Sequence, residues 1–454
     1  MRKVLQATAV AAIMCAATLA APPAPARIAP LKFTDTRLPN GLRVIIAEDH
    51  YAPLYSIAVT YDVGSRNERK GRTGFAHLFE HMMFKGSEKV GPGEHFTLVY
   101  NNGGNMNGST NTDRTNYFET LPINQLDLGL FLESDRMRSL AITKENLENQ
   151  RATVQEERRL GVDNQPYGKT EELVEEMVYD NFAYKHSVIG SMEDLNAASV
   201  EDVKSFFKTY YAPNNAALVL IGDFQTADVL ARVKKYFGDI PRQDPPPPVD
   251  MTDPPQPAER RAKVDDKLAR LPRLDMAFKG PFGNTEEAYS FSVLATVLGG
   301  GESSRLYQKL VKEKEVAISV RAYFAQRRGP GMFLIMATPR PGKSLDEVES
   351  LIAEEIARIQ QEPPSEKEMQ KARSSARRMA VQMREASLFT AVRMGEFALY
   401  YNDPGLINTQ LDKIMAVTPT SVESVAKKYL NPAQRTVIQT IPAGGGPRGQ
   451  RAAN

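Results

Sequence analysis

Cysteine is nearly absent from this sequence, since Cys15 is the only one in 454 residues and lies among the first thirty. Without it the chain has no thiol, so disulfide bonds cannot stabilise the remainder, and any metal must be held by nitrogen and oxygen ligands. An excess of charge is also lacking, because 57 Lys and Arg nearly balance 55 Asp and Glu. The resulting net charge of +2 gives no support to nucleic acid or an anionic membrane surface as a partner. Histidine is scarce, with five residues, so any clustering of histidines is informative.

The N-terminal residues differ in composition from the rest. A positive start, MRK, precedes the uncharged run VLQATAVAAIMCAATLAA and the break PPAPAR, which is typical of a Sec signal peptide. We predict a cleaved signal peptide within residues 1–26, cut near Ala20 or Ala21, and a periplasmic or secreted protein. Met14 occupies a position where a lipobox needs a small residue, so lipid anchoring at Cys15 is disfavoured. The run is also too poor in large apolar residues for a stable membrane anchor.

A proline-rich segment divides the chain near its middle. The stretch PRQDPPPPVDMTDPPQPAERR, residues 241–261, is predicted to be a stiff extended linker. It separates a first domain at residues 27–240 from a second at residues 262–441, and each is long enough to bury its own core. Residues 442–454 are predicted to form a disordered tail.

Strand and helix patterns are mixed in both halves. In the first half, GLRVIIAED, YSIAVTYDVGS and NAALVLIGDF predict strands, and helices are predicted at residues 143–160, 168–178 and 199–210. Hairpin-like turns outnumber βαβ units. The predicted fold class is therefore α+β, with mostly antiparallel sheets packed with helices.

The two halves also resemble each other in sequence. FAHLFEHM, residues 75–82, aligns with FSVLATVL, residues 291–298, and residues 199–213 align with 420–432 at nearly the same offset. A weak match that recurs in register indicates a duplicated unit. The aligned positions of the second half hold only Val293, Thr296 and Val297, so that half is predicted to be a homologous, metal-free domain.

The polar trio of the first half has the spacing of a metal site. Within HLFEH, positions i, i+3 and i+4 share a helix face, so His77 and His81 can ligate one ion while Glu80 stands beside it as a general base. The alternative, two ordinary helical histidines beside an unrelated glutamate, is rare for this motif. We expect a zinc site here.

A third ligand is expected from the helix TKENLENQRATVQEERRL, residues 143–160. Glu157 lies in phase with Leu147, Gln150 and Val154, whereas Glu156 is turned about 100° away. The alternative is that the EERR stretch is only a solvated charge cluster. Phase therefore favours Glu157 over its neighbour.

The motif and its surroundings resemble a known family. YDVGSRNERKGRTGFAHLFEHMMFKG and the downstream QRATVQEERR look like the inverzincins, the zinc metallopeptidase family of pitrilysin, insulin-degrading enzyme and mitochondrial processing peptidase. The likeness continues through NNGGNMNGSTNTDRTNYF, YYAPNNAALVLIGDF and LGGGESSRLYQKLVKEKEVAISV, and is to the small exported bacterial type. It implies two homologous halves forming a clamshell, and a zinc-dependent endopeptidase that hydrolyses peptides or unfolded segments enclosed in a chamber.

The resemblance assigns roles to individual residues. It places the ligands of one Zn²⁺ per chain on His77, His81 and Glu157, and it places on Glu80 the base that activates a zinc-bound water. Gln150 occupies a position where the family often has a glutamate that supports the ligands, so it can hydrogen-bond but adds no negative charge.

The segment GGNMNGST is Gly- and Asn-rich, as a turn leading into an edge strand would be. The family uses such an edge to pair with extended peptide backbone, which makes Asn107 a candidate substrate-binding residue. A simple surface hairpin explains the same residues equally well. His50, His95 and His186 have no metal spacing and are expected to be structural.

One departure from the family concerns the metal-free half. Related enzymes hold the substrate carbonyl with an Arg and a Tyr seven residues apart, but this chain has Val311 and Ile318 at those positions, and neither can stabilise an oxyanion. Arg305 or Arg321 are possible substitutes. The alternative is a heterodimer with a homologous subunit that carries the Arg/Tyr pair, or a homodimer.

A second kind of function is consistent with the same departure. The family also contains inactive members, so the chain is alternatively a non-catalytic peptide-binding or assembly subunit of a peptidase-like heterodimer. The intact H-x-x-E-H motif with Glu157 argues against this reading.

Overall fold

The computed structural model describes residues 28–443. The predicted signal peptide, Cys15 within it and nearly all of the predicted C-terminal tail lie outside the described residues. Helices and strands are interspersed along the described residues, and short 3₁₀ and π-helical segments lie between some of them.

The strands are β1 (Thr34–Arg37), β2 (Arg43–Glu48), β3 (Leu54–Tyr61), β4 (Asn105–Thr110), β5 (Thr115–Pro122), β6 (Ala216–Gly222), β7 (Arg260–Asp266), β8 (Arg273–Phe282), β9 (Ala317–Ala325), β10 (Pro330–Pro339) and β11 (Thr436–Pro442). The helices are α1 (Phe75–Met82), α2 (Glu94–Asn101), α3 (Leu126–Arg138), α4 (Lys144–Arg158), α5 (Gly168–Val178), α6 (Met192–Asn196), α7 (Val200–Tyr210), α8 (Thr226–Phe237), α9 (Glu286–Gly299), α10 (Leu345–Ile359), α11 (Glu366–Glu385), α12 (Ser387–Tyr400), α13 (Leu406–Met415) and α14 (Pro419–Tyr429). The strands and helices predicted for the first half are confirmed, with boundaries within a few residues.

Two mixed sheets share one topology. The first has the strand order β1-β2-β6-β3-β5-β4, and the second has the order β7-β11-β8-β10-β9. In each, a parallel pair (β2 with β6, β7 with β11) is followed by antiparallel strands. Apart from β1, the sheets correspond strand for strand. The prediction of an α+β fold with two homologous halves and mostly antiparallel sheets is confirmed.

The aligned sequence segments occupy equivalent places in the two halves. Helix α1 follows β3 as α9 follows β8, and α7 precedes β6 as α14 precedes β11. In α9 the aligned positions Val293 and Val297 are buried in the second core, where α1 carries its histidines. The two halves thus share the helix, and α9 has valines where α1 has His77 and His81.

One helix from each half packs on the sheet of the other half. Helix α12 packs on β3 and β6 of the first sheet, and α5 packs on β8 and β11 of the second. One face of the first sheet forms a core with α1, α3, α4, α7 and α8, and its other face forms a separate apolar cluster with α12. This double coverage explains why β6 is buried along its whole length and reads as a continuous apolar run.

Close approach between α12 and the first sheet depends on a small residue. A Cβ on Gly395 would lie 2.5 Å from Thr60 Oγ1, so glycine permits the helix to rest on β3. Hydrogen bonds fix its two ends: Ser387 Oγ lies 2.8 Å from Ser56 Oγ, and Arg43 donates to the carbonyl of Ala398 at 2.9 Å. The halves therefore interlock.

The proline-rich segment predicted to be a linker has no regular secondary structure over most of its length. Residues 241–259 contain no helix or strand, whereas residues 260 and 261, predicted to be linker, begin β7. The segment is attached to its surroundings, since Asn181 donates to the carbonyls of Asp250 and Thr252, and Lys279 pairs with Asp253 at 2.6 Å. At the other end, β11 continues through Pro442, one residue into the predicted tail.

No helix within the described residues combines the length and the apolar character needed to cross a membrane.

Candidate active site

The histidine pair lies on α1, whose position is fixed at its N-terminus. The Glu68 carboxylate accepts hydrogen bonds from the backbone N–H groups of Gly74 (2.9 Å) and Ala76 (2.8 Å), and His186 Nε2 contacts it at 2.9 Å. A carboxylate at this end of a helix interacts favourably with the helix dipole. Gly74 has a φ of 82°, and a Cβ there would lie 2.6 Å from the carbonyl oxygen of Ile189, so glycine is required at this entry to the helix.

Three side chains from α1 and α4 converge on one point. His77 Nε2 lies 3.3 Å from His81 Nε2, and Glu157 Oε2 lies 3.6 and 3.3 Å from those two nitrogens. A tetrahedral zinc ion with bonds of about 2.0 to 2.1 Å holds its ligand atoms about 3.3 Å apart. Both the donor set and its spacing therefore fit Zn²⁺ with three protein ligands, the number found in catalytic zinc sites.

The two imidazoles are held in the form that binds metal. Burial, together with the neighbouring His81, lowers the pKa of His77 to about 4. Burial also lowers the pKa of His81, while the charge of Glu157 and a hydrogen bond with Gln150 act in the opposite direction. Metal ligation requires a neutral imidazole. Because both pKa values are lowered, the two imidazoles are neutral near neutral pH, and metal binding does not have to displace a proton from them.

Glu80, on the same helix, is oriented by the edge strand β4. Its Oε2 accepts a hydrogen bond of 2.6 Å from Thr110 Oγ1, and a Cβ on Gly108 would lie only 3.0 Å from Glu80 Oε1. Burial raises the pKa of Glu80 to about 7; the Thr110 hydrogen bond and the charge of Arg114 oppose the shift, and Glu157 adds to it. A buried, oriented carboxylate with this pKa is suited to proton transfer near neutral pH.

Two further residues of α4 lie as helical phase predicts. Gln150 is buried, and its side-chain amide donates to Asn149 Oδ1 at 2.5 Å. Glu156 turns away and pairs with Arg159 at 2.9 Å. The structure thus brings Glu157, and not Glu156, to the histidines.

Asn107 is exposed on β4, the outermost strand of the first sheet. Its Oδ1 accepts a hydrogen bond from the Gly108 N–H at 2.8 Å, and β4 pairs only with β5 among the described strands. The predicted edge strand is therefore present, and one side of it is open to an added strand.

In the second half, the residues at the Arg and Tyr positions of the family differ in burial. Val311 is buried, whereas Ile318 is exposed on β9. Of the two possible substitutes, Arg305 is committed to an ion pair with Glu368 through contacts of 2.7 and 3.1 Å. Arg321 is exposed, and it makes no ion pair with a carboxylate in the part of the chain that the structure describes.

A second group of titratable side chains lies in the first core. No sequence pattern indicates this group. His95 Nε2 on α2 is 3.5 Å from Glu119 Oε2 on β5, and Glu133 on α3 lies within 4.8 Å of both. Arg136 donates to Glu133 Oε2 at 2.9 Å and stacks on the ring of Tyr117, 4.4 Å from its centre. Because an arginine already neutralises Glu133, the group is an ion pair beside a His–Glu pair and not a set of free metal ligands.

Glu119 should make stability depend on pH. Burial raises its pKa from 4.5 to about 7, with Arg136 opposing the shift. The folded state therefore binds the extra proton, and this contribution to stability is present below pH 4.5 and lost as pH rises through 7. We expect the free energy of unfolding of Glu119→Gln, relative to that of the parent, to rise by about 3 kcal/mol from about pH 5 to about pH 8. Urea unfolding at the two pH values measures it. A parent-to-variant difference that is the same at both pH values would contradict the expectation.

The structure also shows residues around Glu80 that sequence reasoning did not single out. Thr110 orients the carboxylate, and Arg114 places a positive charge near it. Both belong to a hairpin recognised only as a turn into an edge strand. Helical spacing cannot reveal them because the contact joins a strand to a helix about thirty residues earlier in the chain.

Comparison with known proteins agrees with this geometry. The sequence pattern of Insulinase (Peptidase family M16) matches residues 43–192, and that of the Peptidase M16 inactive domain matches residues 197–376. The zinc protease PqqE of Helicobacter pylori is 28% identical over 415 residues, which cover 90% of this chain and 93% of that protein.

Two solved structures share the fold. The crystal structure of a protease from Helicobacter pylori superposes with a TM-score of 0.86 at 27% identity and covers 91% of this chain and 100% of that one. The periplasmic protease PqqL from Escherichia coli matches with a TM-score of 0.75 at 18% identity, covering 91% of this chain but 48% of that longer one. The two-domain clamshell fold is that of these peptidases. Family patterns on both halves, similarity along nearly the whole chain and a shared fold show that this protein belongs to the insulinase family of peptidases, family M16.

Proposed function

We propose that this chain is a zinc-dependent endopeptidase that hydrolyses peptides or unfolded segments. The observation that carries the proposal is the convergence of His77, His81 and Glu157 at separations of 3.3 to 3.6 Å, beside a Glu80 carboxylate held by Thr110. Three of these residues, His77, Glu80 and His81, form the inverted H-x-x-E-H motif, and Glu157 is the downstream ligand that the family resemblance implies. Relatives named zinc proteases support the same chemistry.

The residues divide the work between metal binding and proton transfer. His77, His81 and Glu157 would hold one Zn²⁺, which when bound polarises the scissile carbonyl and lowers the pKa of water. Glu80 accepts the proton of the attacking water and returns it to the leaving amine. Thr110 restricts the rotation of the Glu80 carboxylate through its hydrogen bond, and the amide of Gln150 favours the protonated form of His81.

Substrates are extended peptides that add a strand to the first sheet. The open side of β4 offers backbone groups for such pairing, and α1 with Glu80 lies against the same strand. Asn107, exposed on β4, is positioned to contact the peptide backbone or a side chain.

The signal-peptide pattern of residues 1–26 supports export, and we propose a periplasmic or secreted location. The periplasmic protease PqqL has the same fold. We also propose that the protein has no stable membrane anchor and does not bind nucleic acid.

A homologous subunit is proposed to complete the site. PqqL is about twice the length of the matching region, so one chain there spans two units of the size found here. This chain supplies one such unit and lacks the Arg/Tyr pair, having Val311 and Ile318 instead. We therefore propose a heterodimer whose second subunit carries that pair; a homodimer that uses Arg321 is the competing assembly.

A non-catalytic role is the second candidate function. It is favoured by one observation, the absence of an oxyanion donor at positions 311 and 318. In that case the edge strand would bind peptide without cleaving it. Hydrolysis by the assembled protein decides between the two candidates.

Metal content tests the proposed ligand set. We expect about one zinc per purified chain, and its loss on replacing His81 or Glu157 with alanine, because two remaining ligands cannot form a stable site. Glu156→Ala is the matched control, since it removes a neighbouring carboxylate from the same helix turn and should leave zinc in place. Metal analysis by mass spectrometry gives the result, and a His81→Ala protein with full zinc would refute the assignment.

A further inference from the structure

The hairpin that carries Thr110 is held from two sides. Its turn, residues 111–114, is organised by Asn111, whose Oδ1 accepts from the backbone N–H groups of Asp113 (2.7 Å) and Arg114 (2.9 Å). Asp113 then binds the second half, accepting from the Arg328 N–H at 2.9 Å. The tip of the hairpin is therefore attached to the metal-free half.

Arg114 makes the most direct of these connections. Its Nη1 donates to the carbonyl and hydroxyl oxygens of Ser109 on β4, both at 2.8 Å, and its Nε donates to Glu396 Oε1 at 3.0 Å. Glu396 belongs to α12, the helix of the second half that packs on the first sheet. Arg114 thus ties the edge strand to a helix from the other half.

The pair is buried, which makes it a strong positional constraint. Arg114 is 9% exposed and Glu396 is 7% exposed, and Arg393 on α12 holds the other oxygen of Glu396 at 2.8 Å. Charged groups removed from water keep their partners because separation would leave each charge uncompensated. Movement of β4 relative to α12 would break this pair.

The residue after Ser109 is Thr110, whose hydroxyl holds Glu80. A series of hydrogen bonds therefore links α12 to the carboxylate: Arg114 donates to Glu396 and to the carbonyl of Ser109, and Thr110 donates to Glu80. We propose that the Arg114–Glu396 pair is a positioning device through which the metal-free half fixes β4 and, through Thr110, the orientation of Glu80. This inference rests on the proposed role of Glu80 as the base.

The first test is a double-mutant cycle on hydrolysis of a fluorogenic peptide by the zinc-loaded, assembled protein. Glu396→Gln and Thr110→Val should each lower kcat on the order of 10-fold with zinc content unchanged, because a base displaced by a fraction of an ångström transfers protons poorly. The double variant should lose little more than the worse single one, since both changes act on one link. Full additivity, or a normal kcat for Glu396→Gln, would overturn the proposal.

Glu349→Gln is the matched control. Glu349 is 9% exposed and is paired with two arginines, Arg261 and Arg435, in the same half, but it has no contact with the hairpin. It should lose stability as Glu396→Gln does and keep its kcat. If Glu396→Gln does not fold, Arg114→Lys serves instead, because lysine keeps the charge but cannot bridge Ser109 and Glu396 with a planar fork.

Hydrogen–deuterium exchange supplies a readout that does not need activity. We expect amides 105–114 to exchange faster in Glu396→Gln than in the parent or in Glu349→Gln. Unchanged exchange there would refute the anchoring itself. If the exchange changes but the parent cleaves no peptide, the proposed function fails and the structural link stands, so the two failures are distinguishable.

Discussion

Replacing Glu80 with glutamine should leave a protein that binds zinc normally and hydrolyses peptides at least about 10²-fold more slowly. Glutamine has nearly the same shape and can still accept the Thr110 hydrogen bond, so the helix and the metal ligands on either side of it should be undisturbed. It cannot take a proton from water. The expected loss therefore lies in kcat, with little change in KM or in metal content.

The measurement pairs metal analysis with hydrolysis of a quenched fluorescent peptide. Glu156→Gln is the matched control and should keep full activity, because Glu156 is an exposed carboxylate on α4 that pairs with Arg159. Cleavage by the Glu80 variant at the parent rate would reject the mechanism. Cleavage by neither protein, even when assembled with its partner, would favour the peptide-binding subunit.

The purified single chain should hydrolyse peptides about 10²-fold more slowly than the chain assembled with a homologue that carries the Arg/Tyr pair. The tetrahedral intermediate of peptide hydrolysis bears an oxyanion, and this chain offers Val311 and Ile318 where donors are expected. Arg305 cannot substitute without breaking its ion pair with Glu368. We therefore expect the missing donor to come from another polypeptide, with Arg321 as the alternative.

The test is purification from the native host with mass spectrometry of any copurifying chain, followed by measurement of the activity gained when the separate chains are combined. Substituting the partner's arginine should abolish the gain and leave association intact. A single chain that is free of partner and already works at the rate of the complex would refute the split site. Loss of that activity in Arg321→Ala would then identify the donor in the homodimer.

Local patterns in the sequence predicted most of what lies close together along the chain. Helix α4 begins after Thr143, whose side chain accepts from the Asn146 N–H. The step of three and four residues along this helix predicted Glu157, whose Oε2 lies 3.3 Å from His81 Nε2. The five-residue motif fixed the spacing of His77 and His81 on one face of α1. Such features depend on helix geometry alone and are readable without a structure.

Contacts between distant segments could not be predicted in the same way. Nothing in the apolar pattern of residues 387–400 indicates that α12 covers the first sheet instead of the second, because both sheets present similar apolar faces. The Thr110 contact with Glu80 and the Arg114–Glu396 pair depend on that placement. The second charged group, around Glu119 and Arg136, likewise assembles from α2, α3 and β5.

The exchange of α5 and α12 bears on how the polypeptide acquires its fold. The first sheet cannot cover its second face until residues 387–400 are available, and Ser56 meets Ser387 across 331 positions of sequence. A nascent N-terminal half therefore presents bare β3 and β6 to its surroundings, a surface prone to aggregation. Contacts of such long range slow folding. The second face of the first sheet therefore stays uncovered until residues 387–400, near the end of the sequence, have been made.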